Sequence, residues 1–228
     1  WSKDFYVNKN TLIPRPETEL LAEKIVDLFK HKKLFILDIG TGSGCILLSI
    51  LLELKKSKGV GIDISKNAIK VAIRNSKKFN LESRAKFHIK SFVEITDNKF
   101  DLIVSNPPYI PTSELKNLAD NIKKFEPKIA LDGGNDGLDV IRKVIYKSCT
   151  ILKKKGMLAL EIGNGQYNSV SQILKYQGYK ELFLVKDYED NIRCILAELK
   201  NWKLKILNWL NLTIITKKYK YERSQKKI

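Results

Sequence analysis

The sequence predicts an α/β fold: a doubly wound, mostly parallel sheet of seven strands with one late antiparallel strand. Three observations predict it. Short apolar runs alternate with amphipathic stretches; the first run ends in a glycine-rich turn that opens a helix; and the last two runs lie close together. Alternating strands and helices argue for βαβ units and a parallel sheet. Two neighbouring strands joined by a short turn form a hairpin, which puts one of them antiparallel.

The elements follow in order. Pro16-Glu17-Thr18-Glu19 carries helix-start chemistry, and the helix runs to about Lys30 with Leu20, Leu21, Ile25, Leu28 and Phe29 as its buried stripe. Leu34 to Ile39 is the first strand, and a helix from about Cys45 to Leu54 follows the glycine turn. Lys58 to Asp63 is the second strand, and Ser65 is the N-cap of a helix reaching about Phe79. Ala85 to Ile89 and Phe100 to Ser105 are the third and fourth strands; the fourth stops at Asn106 because two prolines cannot donate to a ladder. Residues 110–134 form a long loop punctuated by Pro111, Pro127 and Gly133-Gly134, and a loop of that length in a compact domain is functional or a lid. A helix from about Asp136 to Lys153, a strand from Met157 to Ile162 and a helix from Gln166 to Gln177 with Gly178 as its C-cap come next. Strands at about Glu181 to Lys186 and Asn191 to Leu199 close the sheet.

Bulk properties bound the rest. The 228 residues, 43% of them hydrophobic, fit one catalytic domain over residues 1–199 and exclude global disorder. Residues 200–228 hold nine Lys or Arg against one Glu and are expected to form a partly disordered basic tail. No apolar run approaches the roughly 20 residues that span a bilayer. The polar start carries no secretory signal, and the absence of an initial Met is expected of a fragment or a processed form. Cys45, Cys149 and Cys194 are far apart and odd in number, as expected of buried reduced thiols in the cytoplasm or an organellar matrix. His31 and His88 form no cluster with Cys or Asp, so no metal site is expected. The net charge of +17 comes mostly from dispersed lysine pairs, which form a solvated surface or a weak contact with nucleic acid.

Three motifs carry chemistry. Asp38-Ile39-Gly40-Thr41-Gly42-Ser43-Gly44 follows a strand and opens a helix, where glycines allow close backbone approach to a ligand. Its third glycine comes two residues after the second, so it is not the dinucleotide pattern, and it has no Gly-Lys-Ser/Thr of a P-loop. The spacing suits a ligand without pyrophosphate, such as the amino-acid end of S-adenosylmethionine. Asp63, nineteen residues after Gly44, ends the next strand, where a carboxylate accepts from both hydroxyls of an adenosine ribose. Asn106-Pro107-Pro108-Tyr109 is the most specific motif. The prolines aim the Pro107 carbonyl outward, the Asn106 side chain supplies a second acceptor, and two adjacent acceptors match an NH2 group. Tyr109 adds an aromatic wall for a planar substrate.

In this order the three motifs resemble the class I, Rossmann-like, S-adenosylmethionine-dependent amino-methyltransferases. Leu12 to Glu19, Ser105 to Ile110, Phe125-Glu126-Pro127 with Ala130 to Leu138, Leu160 to Gly163 with Gln166, and Lys186-Asp187 with Arg193 narrow the resemblance to protein-(glutamine-N5) methyltransferases of HemK/PrmC type. It covers roughly residues 1–198. It implies S-adenosyl-L-methionine as cofactor and, as substrate and partner, the glutamine of the Gly-Gly-Gln loop of class-1 peptide chain release factors. Carried over, Gly40, Thr41, Gly42, Ser43, Gly44 and Asp63 bind the cofactor, Phe92 packs beside the adenine, and Asn106, Pro107, Pro108 and Tyr109 bind the glutamine amide, Asn106 lying near the cofactor as well. The family's small N-terminal helical domain is expected to be absent from this chain. The loop Lys90-Ser91-Phe92 lacks the family's acidic residue, and the tail past Leu199 lies outside the pattern. Two other readings stand beside this one. A nucleic-acid methyltransferase acting on adenine N6 or guanine N2 would use the same NH2-binding motif. A module that kept the fold and only binds would explain the basic tail.

Overall fold

The computed structural model describes residues 3–96 and 99–200. The expected end of the domain at 199 and the disorder of the tail concern a segment of which residues 201–228 lie outside the described residues.

Period-two alternation builds the central strands. In β1 (Phe35–Ile39) Ile36 faces one core and Leu37 the other; in β4 (Phe100–Ser105) Leu102 and Val104 face the first and Ile103 the second. Strands apolar on both sides must be covered on both sides. The first core is covered by α1 (Pro16–Phe29), α2 (Cys45–Glu53) and α3 (Lys66–Lys78), and the second by α5 (Asp139–Ile151) and α6 (Tyr167–Tyr176). With β2 (Lys58–Asp63), β3 (Ala85–Ile89), β5 (Leu152–Glu161), β6 (Tyr179–Lys186) and β7 (Ile192–Leu199), the sheet runs β3-β2-β1-β4-β5-β7-β6. All pairs are parallel except those of β7, which is antiparallel to both β5 and β6. The seven strands and the one late antiparallel strand are as the sequence predicts. Ser65 caps α3, its hydroxyl accepting from the Ala68 amide at 3.2 Å.

Two segments differ from expectation. The expected helix to Lys153 ends at Ile151, because Leu152 already pairs with Phe100. The next pair is Leu102 with Met157, so residues 153–156 bulge out of β5, with Lys155 at φ 61° and Lys153 Nζ 2.8 Å from Asp101 Oδ1. The long loop is also more ordered than its composition suggests. It contains 3-10 turns at Thr112–Asn117 and Lys128–Ala130 and a short helix, α4 (Asp120–Phe125). Its ends are closed on each other: Ile110 N donates to Leu131 O at 3.0 Å and Gly133 N to Ile110 O at 2.8 Å. No helix among the described residues is long and apolar enough to cross a membrane.

Gly59 in β2 lies where a Cβ would meet the Ile36 carbonyl oxygen of β1 at 2.8 Å and Leu47 Cδ1 of α2 at 2.6 Å. A carbonyl inside a parallel ladder cannot yield without breaking its pairing. Gly59→Ala is therefore expected to lower stability by about 1–3 kcal/mol, measured as a lower urea midpoint with unchanged slope.

Candidate active site

The connections leave β1 and β4 on opposite sides, β1 leading to β2 and β4 leading to β5. Ligands of open α/β sheets bind in the crevice at such a switch point, outside the carboxyl ends of the strands. A cavity of about 780 Å³ lies there. The turn after β1, Asp63 at the end of β2 and the prolines after β4 line it, roofed by Leu12 and Pro14 from before α1 and by Pro127, Lys128 and Ile129 from the long loop.

The glycine turn is held from below and open above. Gly40 and Thr41 donate to the Ile62 carbonyl at 2.9 and 3.0 Å, and Gly42 N donates to Asp63 Oδ2 at 3.0 Å. Asp63 Oδ1 accepts from Ser65 N at 2.8 Å. Gly40 and Gly42 take positive φ, and a Cβ on either would meet nothing closer than 4.0 Å, so their backbone is bare toward the cavity. Gly44 differs: its φ of 80° ends the turn, and a Cβ there would press on Leu48, Ala72 and Phe87, so it serves packing and does not line the cavity. Asn75 of α3 ties the turn to the N-terminal segment, its amide donating to Ser43 O and to Tyr6 O, both at 2.9 Å.

Below the turn lies Asp38, fully buried. Its Oδ2 accepts from the Thr41 hydroxyl at 2.6 Å, while Oδ1 has no partner. Burial pushes its carboxyl up to about 7 against the pull of Thr41, and Asp63 adds to the rise. On the far side of the cavity Ile64, Phe92, Val93, Val140 and Val144 form an apolar slot.

At the end of β4, Asn106 and Pro107 line the cavity together with Thr18 of α1. Asn106 Nδ2 donates to Thr18 Oγ1 at 3.2 Å, and that hydroxyl donates to Glu161 Oε2 at 2.6 Å. Glu161, at the end of β5, is fully buried and its Oε1 has no partner. Burial raises its carboxyl to about 7; Thr18, Arg193 and Asn106 pull it down and Glu17 pushes it up. The sequence makes Tyr109 a wall of the cleft, yet Tyr109 is not among the lining residues. Its hydroxyl accepts from Arg193 Nη2 at 3.3 Å, and its carbonyl accepts from Gln166 Nε2 at 2.9 Å. Gln166 Oε1 in turn accepts from Gly163 N at 2.8 Å, so Gln166 clamps the proline motif to the end of β5. Burial, Glu161 and Glu17 keep the Tyr109 phenol neutral by raising its pKa, which Arg193 only partly offsets. Arg15 Nη2 meets the buried Glu126 Oε1 at 2.6 Å, which pins the long loop to the start of α1. Among the described residues no cluster of His, Cys, Asp and Glu could hold a metal ion.

Comparison with known proteins agrees with this geometry. A family described as a methyltransferase domain matches residues 30–213. A release factor glutamine methyltransferase of Clostridium acetobutylicum is 42% identical over 200 residues, which are 85% of this chain and 70% of that protein. The chain belongs to the release factor glutamine methyltransferase family. A relative of the same description from Rhodospirillum rubrum is 41% identical over 197 residues, 86% of this chain. The chain spans only 61% of that relative's length. The crystal structure of a release-factor-specific protein-(glutamine-N5) methyltransferase from Alicyclobacillus acidocaldarius superposes with a TM-score of 0.51 at 26% identity, over 86% of this chain and all of that one. The fold is thus that of the class I, Rossmann-like methyltransferases, and the cofactor of the family is S-adenosylmethionine.

The residues present fit that cofactor. The unpartnered Asp38 Oδ1 lies beneath a bare glycine backbone, Asp63 stands at the rim with lone pairs to spare, and the apolar slot matches a purine. The fold brings the glycine turn, Asp63, Phe92 and Asn106 together around one cavity, and the motifs assign no role to Asp38, Thr18, Glu161 or Gln166. The one signal for them was that each stands inside a quoted family motif. Asp63→Asn removes the charge that a ribose would bind, at about 1.5–3 kcal/mol per hydrogen bond. Calorimetric titration with S-adenosylmethionine is expected to show affinity weakened by at least about tenfold; a change below threefold would remove Asp63 from the cofactor site.

Proposed function

We propose that the chain transfers the methyl group of S-adenosylmethionine to the side-chain amide nitrogen (N5) of the glutamine in the Gly-Gly-Gln motif of class-1 peptide chain release factors. The observation that carries this is the Asn106 amide, whose nitrogen is committed to Thr18, leaving its oxygen toward the cavity beside the proline backbone. Gly40, Thr41, Gly42, Ser43, Asp63 and Phe92 would hold the cofactor, with Gly44 shaping the turn. Asn106 Oδ1 and the Pro107 carbonyl would accept the two N–H bonds of the glutamine amide. Pro108 stiffens this pair, and Tyr109 braces it from behind through Arg193.

When bound, the cofactor supplies a sulfonium methyl group. Forming the N–C bond would break the cofactor's S–C bond, with a neutral thioether as the leaving group and one amide proton passing to water. A glutamine nitrogen is a poor nucleophile because its lone pair is delocalised into the carbonyl. The chain's part is therefore orientation and electrostatics: two acceptors on the N–H bonds push electron density onto nitrogen and hold its lone pair in line. No step calls for a dedicated general base.

A secondary contact with nucleic acid belongs to the same proposal, together with action in the cytoplasm or an organellar matrix. Lys32 and Lys33 before β1, Lys55, Lys56 and Lys58 at the start of β2, Lys99 before β4 and Lys153, Lys154 and Lys155 in the β5 bulge are all exposed. The strands they precede are adjacent and parallel, so these lysines share one end of the sheet, opposite the cleft. A strip so placed serves a polyanion held at a distance from the chemistry and does not feed a nucleobase into the cleft. Lys90, Lys128 and Lys143 line the cavity itself, so it is the likeness to release factor glutamine methyltransferases that favours a protein substrate over adenine N6 or guanine N2.

The experiment is transfer of radiolabelled methyl from S-adenosylmethionine, offered with release factor, its Gln→Ala variant, and RNA and DNA. Label is expected on the wild-type release factor alone; label on nucleic acid would overturn the assignment. Asn106→Ala is expected to lower kcat by about 10²–10³ with cofactor affinity within a few-fold, and retention of turnover within a few-fold would refute the two-acceptor geometry. RNA binding, followed by filter retention, is expected to weaken by at least about tenfold between 50 and 200 mM salt. It should weaken further when Lys153, Lys154 and Lys155 become Gln, while methyl transfer is unchanged.

A further inference from the structure

Thr18, Asn106 and Glu161 come from three elements: the first turn of α1, the end of β4 and the end of β5. A threonine hydroxyl has a single proton. Here it goes to Glu161 Oε2 at 2.6 Å, which leaves the Thr18 oxygen able only to accept, and it accepts from Asn106 Nδ2 at 3.2 Å. The other carboxylate oxygen, Glu161 Oε1, is buried beside this pair without a partner. Every atom on that side of Asn106 calls for a donor. An Asn106 amide turned by half a revolution would set its oxygen against the lone pairs of Thr18 and its NH2 against the NH2 of the incoming amide.

We propose that Thr18 and Glu161 are positioning residues that set the polarity of the Asn106 amide, so that its oxygen and not its nitrogen meets the substrate N–H. This rests on the proposed glutamine methylation. The direction originates at Glu161, because an ionised carboxylate can only accept. Thr18 passes the direction to Asn106, and neither residue touches the reacting atoms. The groups facing Glu161 are Glu17 and Thr18 of α1, Asn106 and Tyr109 after β4, Arg193 and Cys194 of β7 and, farther off, Cys45 of α2. Arg193 is the cation among them, held at 3.2 Å by Glu17 and at 3.5 Å by Asp187. Burial keeps both thiols protonated, that of Cys45 pushed up to about 12, so the titration facing Asn106 is that of Glu161. Its carboxyl is raised to about 7. Below that pH a protonated Glu161 can donate to Thr18, the hydroxyl proton is released, and the amide loses its fixed sense. Turnover therefore rises with pH through this value.

The test uses the full chain, release factor and S-adenosylmethionine. Thr18→Val keeps the shape and removes the hydroxyl; kcat is expected to fall by about 30-fold, as oriented groups lose their alignment. KM for release factor and Kd for the cofactor should stay within about threefold, and Thr18→Ser should restore kcat to within about threefold of wild type. Glu161→Gln should remove the rise of kcat across about pH 7 while cofactor binding remains. The side-chain NH2 signals of Asn106, assigned by their loss in Asn106→Ala, should be shifted and exchange faster in Thr18→Val than in the wild type. Wild-type kcat in Thr18→Val, or an unchanged pH limb in Glu161→Gln, overturns the proposal. If the wild type itself labels no glutamine, the substrate assignment falls separately. The Asn106 NH2 signals then decide alone, and signals unmoved by Thr18→Val overturn the positioning role.

Discussion

The structure depends on one topological constraint: the chain leaves β1 and β4 in opposite directions, though the two strands lie side by side. No single loop can cover both ends, so a crevice opens where the backbone of each strand runs out of partners. On the β1 side the exposed backbone is glycine, which brings main chain within reach of a ligand. On the β4 side it is proline, which ends pairing and leaves carbonyls without competing amide donors. The strand interiors, Ile36 to Ile39 and Leu102 to Val104, are nearly dry on both faces, so the two ends are held by the core of the molecule and not by surface loops.

A crevice of that kind still needs a roof and walls, and the segment before and within the first turn of α1 provides them. Arg15 reaches the buried Glu126 of the long loop, Glu17 reaches Arg193 of β7, and Thr18 reaches Glu161 of β5. Three polar contacts within four residues thus tie the start of α1 to the roof, to the antiparallel strand and to the end of β5. Burying carboxylates costs stability unless their lone pairs are used. Here the cost falls where it fixes geometry: Glu161 and Glu126 each keep one satisfied oxygen and one bare one.

Much of this was legible in the sequence, and the limits have physical causes. Alternation in Phe35–Ile39 and Phe100–Ser105, the glycine spacing after Asp38 and the double proline after Asn106 are local signals, and each structure follows from its own few residues. The bulge at residues 153–156 was not legible, because Leu152 looks like the last turn of an amphipathic helix until its pairing with Phe100 is known. The long loop looked structureless because its order comes from closure between Ile110 and residues 131–133, more than twenty positions apart. The bond from Thr18 to Glu161 joins residues 143 apart. No periodicity reports such a contact. Tyr109 fell between the cases: its presence was legible, but its direction is decided by Arg193, eighty-four positions away.

The arrangement of charge carries the argument one step further. The molecule is strongly basic, and Lys90, Lys128 and Lys143 line the cavity together with Asp63 and Asp132, while Asp38 and Glu161 lie fully buried behind the glycine turn and the acceptor amide. A sulfonium ligand is a cation, and buried acids whose charged forms are disfavoured by desolvation gain most from meeting one. Asp38 and Asp63 stand on the side of the glycine turn, Glu161 on the side of the acceptor amide. In the proposed transfer, positive charge would leave sulfur and grow on nitrogen before the proton departs. It would therefore move away from Asp38 and Asp63 toward the end of the cleft that, in the proposed positioning role, Glu161 polarises through Thr18 and Asn106. Hydrogen-bonded groups in a dry site strengthen one another, so this short relay would help most when charge on nitrogen is greatest. A fold that places acids at both ends of the charge's proposed path would need no proton acceptor of its own at the reacting nitrogen.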